Sequence, residues 1–225
     1  MIPLRDDTPS SSRPVMTSLI IIACTLVFLY MLSLGSEARV ERFILAYGAT
    51  PAVIAGHAAP GAGPTYATLV TSMFLHGGWV HLIGNMLYLW IFGDNVEDLM
   101  GRLGFLMFYL VSGVAAAVTH VLLDARSSVP LIGASGAIAG VLGAYLVRFP
   151  RARILSLVPF GIFSRLVAVP ALLFLPLWFL MQFIYGLGLI GGGGTTVAWW
   201  AHVGGFVAGV VLVPVFGRRR PTIGW

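Results

Sequence analysis

The sequence is poor in charge. Only 9% of its 225 residues are Asp, Glu, Lys or Arg, where a soluble domain carries about a quarter. So few charges cannot coat a water-facing surface, which excludes an ordinary soluble globular domain. Lysine is missing altogether, and all 13 basic residues are arginines. That bias carries no functional meaning. Cysteine occurs once, at Cys24, so an internal disulfide is excluded. Cys24 lies in an apolar run and reads as packing. There is no H-E-x-x-H signature and no pair of aspartates within an apolar run, which speaks against metal-dependent and aspartyl intramembrane proteases. No convincing internal repeat is present, which counts against inverted-repeat transporters.

What is present is apolar sequence, at 58% hydrophobic residues. Six apolar runs span roughly 16–34, 72–93, 103–123, 131–147, 166–190 and 195–217. Each should be a helix, because lipid offers no partners for open backbone groups. The run Met16 to Leu34 is long enough to cross a bilayer. No A-x-A-like cleavage site directly follows it, so it reads as a transmembrane helix and not as a signal peptide. The fold class expected is an all-α membrane protein, a bundle of six transmembrane helices. Its parts are a cytoplasmic N-terminal tail (1–15), a membrane domain (16–217) and a basic cytoplasmic C-terminal tail (218–225).

Orientation follows from the arginines. With a cytoplasmic N-terminus, ten of them fall inside: Arg5, Arg13, Arg102, Arg148, Arg151, Arg153, Arg165 and Arg218 to Arg220. Three fall outside, at Arg39, Arg42 and Arg126. The positive-inside rule therefore places both termini in the cytoplasm. The Arg218–Arg220 cluster reads as a headgroup anchor. The +5 net charge does not point to nucleic acid, because the arginines sit in short segments between apolar runs.

Connections are punctuated by glycine and proline. Pro51, Pro60, Gly61, Gly63 and Pro64 exclude one continuous helix between Gly35 and Thr71. The apolar residues of that stretch suggest it lies partly in the outer interface. Pro170 and Pro176 should bend or break the fifth helix. Gly191 to Gly194 should make the last connection flexible.

All eight carboxylates fall in tails, loops or span ends. The polar residues left inside the runs are His81 and Asn85 in the second, Ser135 in the fourth, Gln182 in the fifth and His202 in the sixth. Intramembrane polar groups are costly, so these are functional suspects. At about 1.5 Å per helical residue, Ser135 lies about 20 Å above Arg148 and His202 about 24 Å above Arg218. Asn85 lies about 18 Å above Glu97. All three sit in the outer half of a core about 30 Å thick. His81 and Asn85 are i and i+4 and share a helix face. Gly136 and Gly140 on the fourth span, and Gly205 and Gly209 on the sixth, form small-residue ridges that allow close helix packing. Gln182 reads as an interhelical hydrogen bond. Phe174, Trp178 and Phe179 read as lipid-facing or packing, and Trp79, Trp90, Trp199 and Trp200 as interfacial belts. His57 and His120 read as loop or span-end residues, and His76 as structural in the outer interface.

A serine becomes a nucleophile when a base takes its proton. Ser135 and His202 could form such a pair, without a carboxylate to orient the base. Asn85, His81 and the Ser135 backbone N–H could donate to an oxyanion. Gly133 would let a substrate carbonyl approach closely.

These residues resemble the rhomboid family of intramembrane serine proteases. The matching pieces are His81-Leu82-Ile83-Gly84-Asn85, Gly133-Ala134-Ser135-Gly136, and Ala201-His202-Val203-Gly204-Gly205 running on to Gly209. They stand in the family's order on the second, fourth and sixth spans, and the likeness covers about residues 15 to 217. The resemblance implies Ser135 as nucleophile, His202 as general base and acid, and Asn85, His81 and the Ser135 amide as oxyanion hole. It implies single-span membrane proteins as substrates, cut near the outer face. The fifth span and the last loop would form gate and cap. It implies no metal or cofactor, a lipid bilayer as surroundings, and a bacterial inner membrane as location. Two departures stand out. Ala139 occupies the place of a Tyr that packs on the catalytic histidine in some members, and the first outer loop lacks a Trp-Arg pair. The alternative is a catalytically weak or dead relative that binds membrane clients.

Overall fold

The computed structural model describes residues 1–59, 65–160, 163–188 and 198–217. Pro60 to Pro64, Gly191 to Gly194 and Arg218 to Arg220 lie outside the described residues, as do the expectations attached to them. The elements run β1 (Ile2–Asp6), α1 (Val15–Ser33), α2 (Glu37–Tyr47), α3 (Pro51–Ile54), α4 (Thr68–Thr71) and a 3₁₀ turn (Ser72–Phe74). There follow α5 (Trp79–Met100), α6 (Arg102–Leu123), α7 (Ser135–Arg148), β2 (Arg153–Phe160), β3 (Phe163–Pro170), α8 (Ala171–Gly186) and α9 (Trp199–Phe216).

Six of these helices, α1 and α5 to α9, correspond to the six apolar runs. By length and composition α1, α6 and α9 are apolar and long enough to cross a membrane, while α7 and α8 are shorter apolar helices. Three starts differ from the sequence expectation. The second run begins its long helix at Trp79, because Ser72–Phe74 is a separate turn. The fourth begins at Ser135, because Leu131 is engaged in a two-bond bridge with Ala49. The fifth begins at Ala171, with Pro170 as its N-cap, because residues 163–170 are a strand. Pro170 thus marks a boundary, while Pro176 lies inside α8.

That strand belongs to a three-stranded antiparallel sheet, order β1-β2-β3, at the Arg148 end of the bundle. Residues 153–170 are rich in leucine, valine and phenylalanine in adjacent pairs, which gives no clear strand alternation. Strand β3 passes into α8 at Pro170 with no linker. The N-terminal segment is strapped across the same end. Asp7 Oδ1 accepts from the Arg153 N–H at 2.7 Å, and Asn95 Nδ2 donates to the Thr8 carbonyl at 2.9 Å. Tyr145 Oη donates to the Asp6 carboxylate. Burial raises the Asp6 carboxyl above its free value of 3.8, with the Tyr145 bond opposing.

Glu97 supplies the N-terminal cap that α1 lacks locally. Its two oxygens accept from the Met16 and Thr17 N–H groups at 2.9 and 2.8 Å, and its side chain is buried. A carboxylate there satisfies orphan donors and complements the helix dipole. Helices α5 and α6 are joined by Gly101 alone, at φ +75°, a conformation that glycine adopts freely.

The core is centred on α7, which is buried on nearly every side from Gly136 to Tyr145. The glycines of α7 and α9 lie where these helices approach most closely. A β-carbon on Gly209 would collide with the Gly140 carbonyl, and one on Gly205 with the Gly136 carbonyl. One on Gly136 would lie 2.7 Å from the Ala116 Cβ, and one on Gly140 2.5 Å from the Ser112 Cβ. Backbones at this spacing gain packing that lipid cannot replace. The outer faces of α1 and α8 expose leucines such as Leu26 and Leu173, as a surface bathed by lipid requires. The molecule is a helical membrane bundle with a small sheet at one end.

Candidate active site

Ser135 is the first residue of α7, and His202 lies in the first turn of α9. The close ridge contact between these helices brings the two side chains together. His202 Nε2 stands 2.8 Å from Ser135 Oγ. The other ring nitrogen, Nδ1, stands 2.7 Å from Gln182 Oε1, on α8. Both ring nitrogens are therefore taken.

The proton positions follow from donor chemistry. The Trp178 carbonyl can only accept, so the group facing it at 3.2 Å must be the Gln182 amide nitrogen. The amide oxygen then faces His202, and Nδ1 must carry the proton it accepts. That leaves the Nε2 lone pair toward Ser135, whose hydroxyl donates to it. A hydroxyl donating to an imidazole lone pair is arranged for proton transfer as the oxygen attacks an electrophile.

His81 shows the opposite tautomer. Its Nδ1 accepts from the Gly77 N–H in a long contact of 3.4 Å, which leaves Nε2–H as a donor. That nitrogen points at the backbone just before Ser135. A β-carbon on Gly133 would lie 2.7 Å from His81 Nε2 and 3.6 Å from Asn85 Nδ2. Asn85 Nδ2 is buried and has no hydrogen-bond partner among the described residues. A buried amide without a partner is costly, and this one lies beside the Gly133 backbone on the cavity wall. The Ser135 N–H belongs to the first turn of α7, whose donors have no intrahelical acceptor.

Gly133 has a local structural reason of its own. Its φ of +120° and its contact with the His81 ring both forbid a side chain. It makes room for the imidazole.

These side chains line one open cavity of about 1010 Å³, with His81, Asn85, Ser135, Trp178, Gln182 and His202 on its walls. His120, near the C-terminal end of α6, also lines it. His57 lies in the loop after α3. His76 is buried behind the site, its ring 5.1 Å from that of His81. Among the described residues no cluster of His, Cys, Asp or Glu is grouped to hold a metal ion.

Aromatic rings enclose the histidine. Trp178 lies 6.0 Å from His202 at a shallow tilt of 36°, and Trp199 meets it edge-on at 5.9 Å. The sequence reading of Trp178 as lipid-facing or packing overlooked its place in the cavity wall. It also overlooked that the partner of Gln182 would be His202. Trp178 and Gln182 are four apart and share one face of α8, but that spacing does not name the helix they face.

Residues 64–219 match the family model described as Rhomboid domain. RHOMBOID-like protein 4 of Arabidopsis thaliana is 34% identical over 70% of this chain and 35% of its own length. Presenilin-associated rhomboid-like protein A, mitochondrial, of Danio rerio is 34% identical over 69% of this chain and 40% of its own length. Rhomboid protease GluP of Bacillus subtilis is 32% identical over 60% of this chain and 25% of its own length. The chain thus spans well under half the length of these relatives.

Proposed function

This chain belongs to the rhomboid family, and we propose that it is an intramembrane serine endopeptidase that hydrolyses peptide bonds in or near the transmembrane segments of single-span membrane proteins. The observation that carries this reading is the 2.8 Å contact between Ser135 Oγ and a His202 Nε2 whose lone pair faces it.

In the proposed reaction His202 takes the Ser135 proton as Oγ attacks the scissile carbonyl. The Asn85 amide, His81 Nε2–H and the Ser135 N–H donate to the oxyanion, a term of about 3–4 kcal/mol per donor in related chemistry. The imidazolium then protonates the leaving amine. Water entering the cavity attacks the acyl-enzyme, with His202 again as base, and Ser135 is released. The open cavity supports this second half, because it gives water a route to a site between apolar helices. The presence of both Ser135 and His202 argues against a client-binding relative without activity.

The arginine distribution supports both termini in the cytoplasm and the cavity facing outside. A bacterial inner membrane is the location we propose; the relatives that resemble the chain include a mitochondrial as well as a bacterial protein.

The test is labelling with a serine-reactive fluorophosphonate, together with cleavage of a transmembrane substrate in liposomes. Ser135→Ala should abolish both, and His202→Ala should reduce both to background, with melting temperatures unchanged. Full activity in either variant defeats the assignment.

A further inference from the structure

Gln182 sits where a serine hydrolase ordinarily carries a carboxylate. We propose that Gln182 is a positioning residue, fixing the His202 tautomer and making the base competent only while α8 is seated against α9. The proposal rests on the Ser135–His202 reading and deepens it by naming what controls the base.

Three observations carry it. The first is the unbroken relay from the Trp178 carbonyl through the Gln182 amide to His202 Nδ1 and on to Ser135, with links of 3.2, 2.7 and 2.8 Å. Each link has one allowed direction, because a carbonyl cannot donate. The relay therefore selects one tautomer, the one that offers Nε2 to the serine. The second is burial. Gln182 is 8% exposed, at the edge of the cavity, so most of its surface is held by protein while both polar ends of the amide are engaged. The third is the location of the residue. Gln182 and Trp178 lie on α8, a peripheral helix whose opposite face is open, with Leu173, Leu177 and Leu180 exposed.

Helix α8 is seated by Ala171, Phe174 and Leu175 in the core and by aromatic contacts to α9. Phe179 and Trp178 pack on Phe206 of α9, with ring centroids 4.7 and 6.3 Å apart, beside the Gln182–His202 bond. A displacement of α8 by a few ångströms exceeds the tolerance of a hydrogen bond. It would leave Nδ1 without its acceptor and the ring free to rotate or change tautomer. The base is thus disarmed by the movement that would open the space between α8 and the rest of the bundle. Nucleophilic attack then has to wait until α8 returns. A neutral amide serves this purpose better than a carboxylate. It orients the ring without placing a buried charge on a helix whose other face is exposed and apolar.

The experiment compares Gln182→Leu, Gln182→Met and Gln182→Glu in the full chain, reading the fluorophosphonate labelling rate of Ser135, its pH profile, and kcat and KM for a transmembrane substrate. Gln182→Leu and Gln182→Met should each slow labelling and kcat by about 10-fold or more, with KM nearly unchanged. Gln182→Glu restores an acceptor, so it should recover most of the rate. It should also move the acid limb of the profile to higher pH, because a carboxylate stabilises the imidazolium. A purely structural role predicts no such recovery and no movement of the acid limb, and either result overturns the proposal. So does unchanged labelling in Gln182→Leu and Gln182→Met. A cross-link between Phe179→Cys and Phe206→Cys, which holds α8 seated, should preserve labelling, and its loss would also overturn the proposal. Should the unmodified protein itself resist the probe, the Ser135–His202 assignment fails instead, which separates the two outcomes.

Discussion

His81 packs its imidazole edge against Gly133 so closely that a β-carbon there would stand 2.7 Å from Nε2 and 2.9 Å from Cε1. The contact ties the residue two before the serine to the second transmembrane run, and it sets the direction of a donor.

Gly133→Ala should therefore act twice. The φ of +120° disfavours any side chain, a strain of about 1–3 kcal/mol. The methyl group would also push His81 away from the oxyanion position. We expect a lower melting temperature in detergent and a fall in kcat of about 10-fold or more. A melting temperature and kcat equal to those of the parent would refute both effects.

The glycines should not respond alike. Gly209→Ala drives a methyl group into the Gly140 carbonyl, whereas nothing lies within 4 Å of a β-carbon on Gly84. Gly209→Ala should cost about 1–3 kcal/mol as overpacking. Gly84→Ala should be neutral or stabilising by up to about 1 kcal/mol through helix propensity. Thermal unfolding of the two variants side by side distinguishes them, and a similar loss in both would contradict the ridge geometry.

Glu97→Gln should loosen the start of α1. One of the two acceptor oxygens becomes an NH₂ facing a backbone N–H, at a cost of about 1–3 kcal/mol. Hydrogen exchange at Met16 and Thr17 should quicken, with little effect on labelling of Ser135. Protection of those two amides unchanged by the substitution would show that the cap contributes nothing.

The strap formed by β1 should weaken as pH rises. Burial lifts the Asp6 carboxyl above 3.8 in the folded chain, so the docked strap binds a proton more tightly than the free one. Docking is favoured as pH falls through the folded value and loses that advantage as pH rises above it. Asp6→Asn should remove the dependence, read as β1 hydrogen-exchange protection corrected for intrinsic rate. A pH response that survives Asp6→Asn would assign it to another group.

Much of the site was legible because its chemistry is scarce in this sequence. Against apolar runs, Ser135, His202, His81 and Asn85 stand out as the polar exceptions, and helical rise alone put three of them at one level. The helix count and the ridge of Gly136, Gly140, Gly205 and Gly209 were legible for the same reason, since period and residue size are local properties. The sheet was not. Arg153–Pro170 is as apolar as a span, and its register depends on β1, about 150 residues away in sequence. The orientation of His202 was equally hidden. Gln182 could be read as a hydrogen-bonding residue, but sequence does not say which helix faces it. Glu97 was read only as a span-end carboxylate, because its partners on α1 lie some 80 residues earlier.

The direct passage from β3 into α8 has a mechanical consequence. From Pro170 to Gln182 is about 18 Å of helix, more than half the depth of a bilayer core. With no loop at Pro170 to absorb it, a twist imposed on the hairpin from the aqueous phase is delivered to the amide that holds His202. On the proposed reading, a change at the sheet would thus reach His202 through one helix, interrupted only at Pro176.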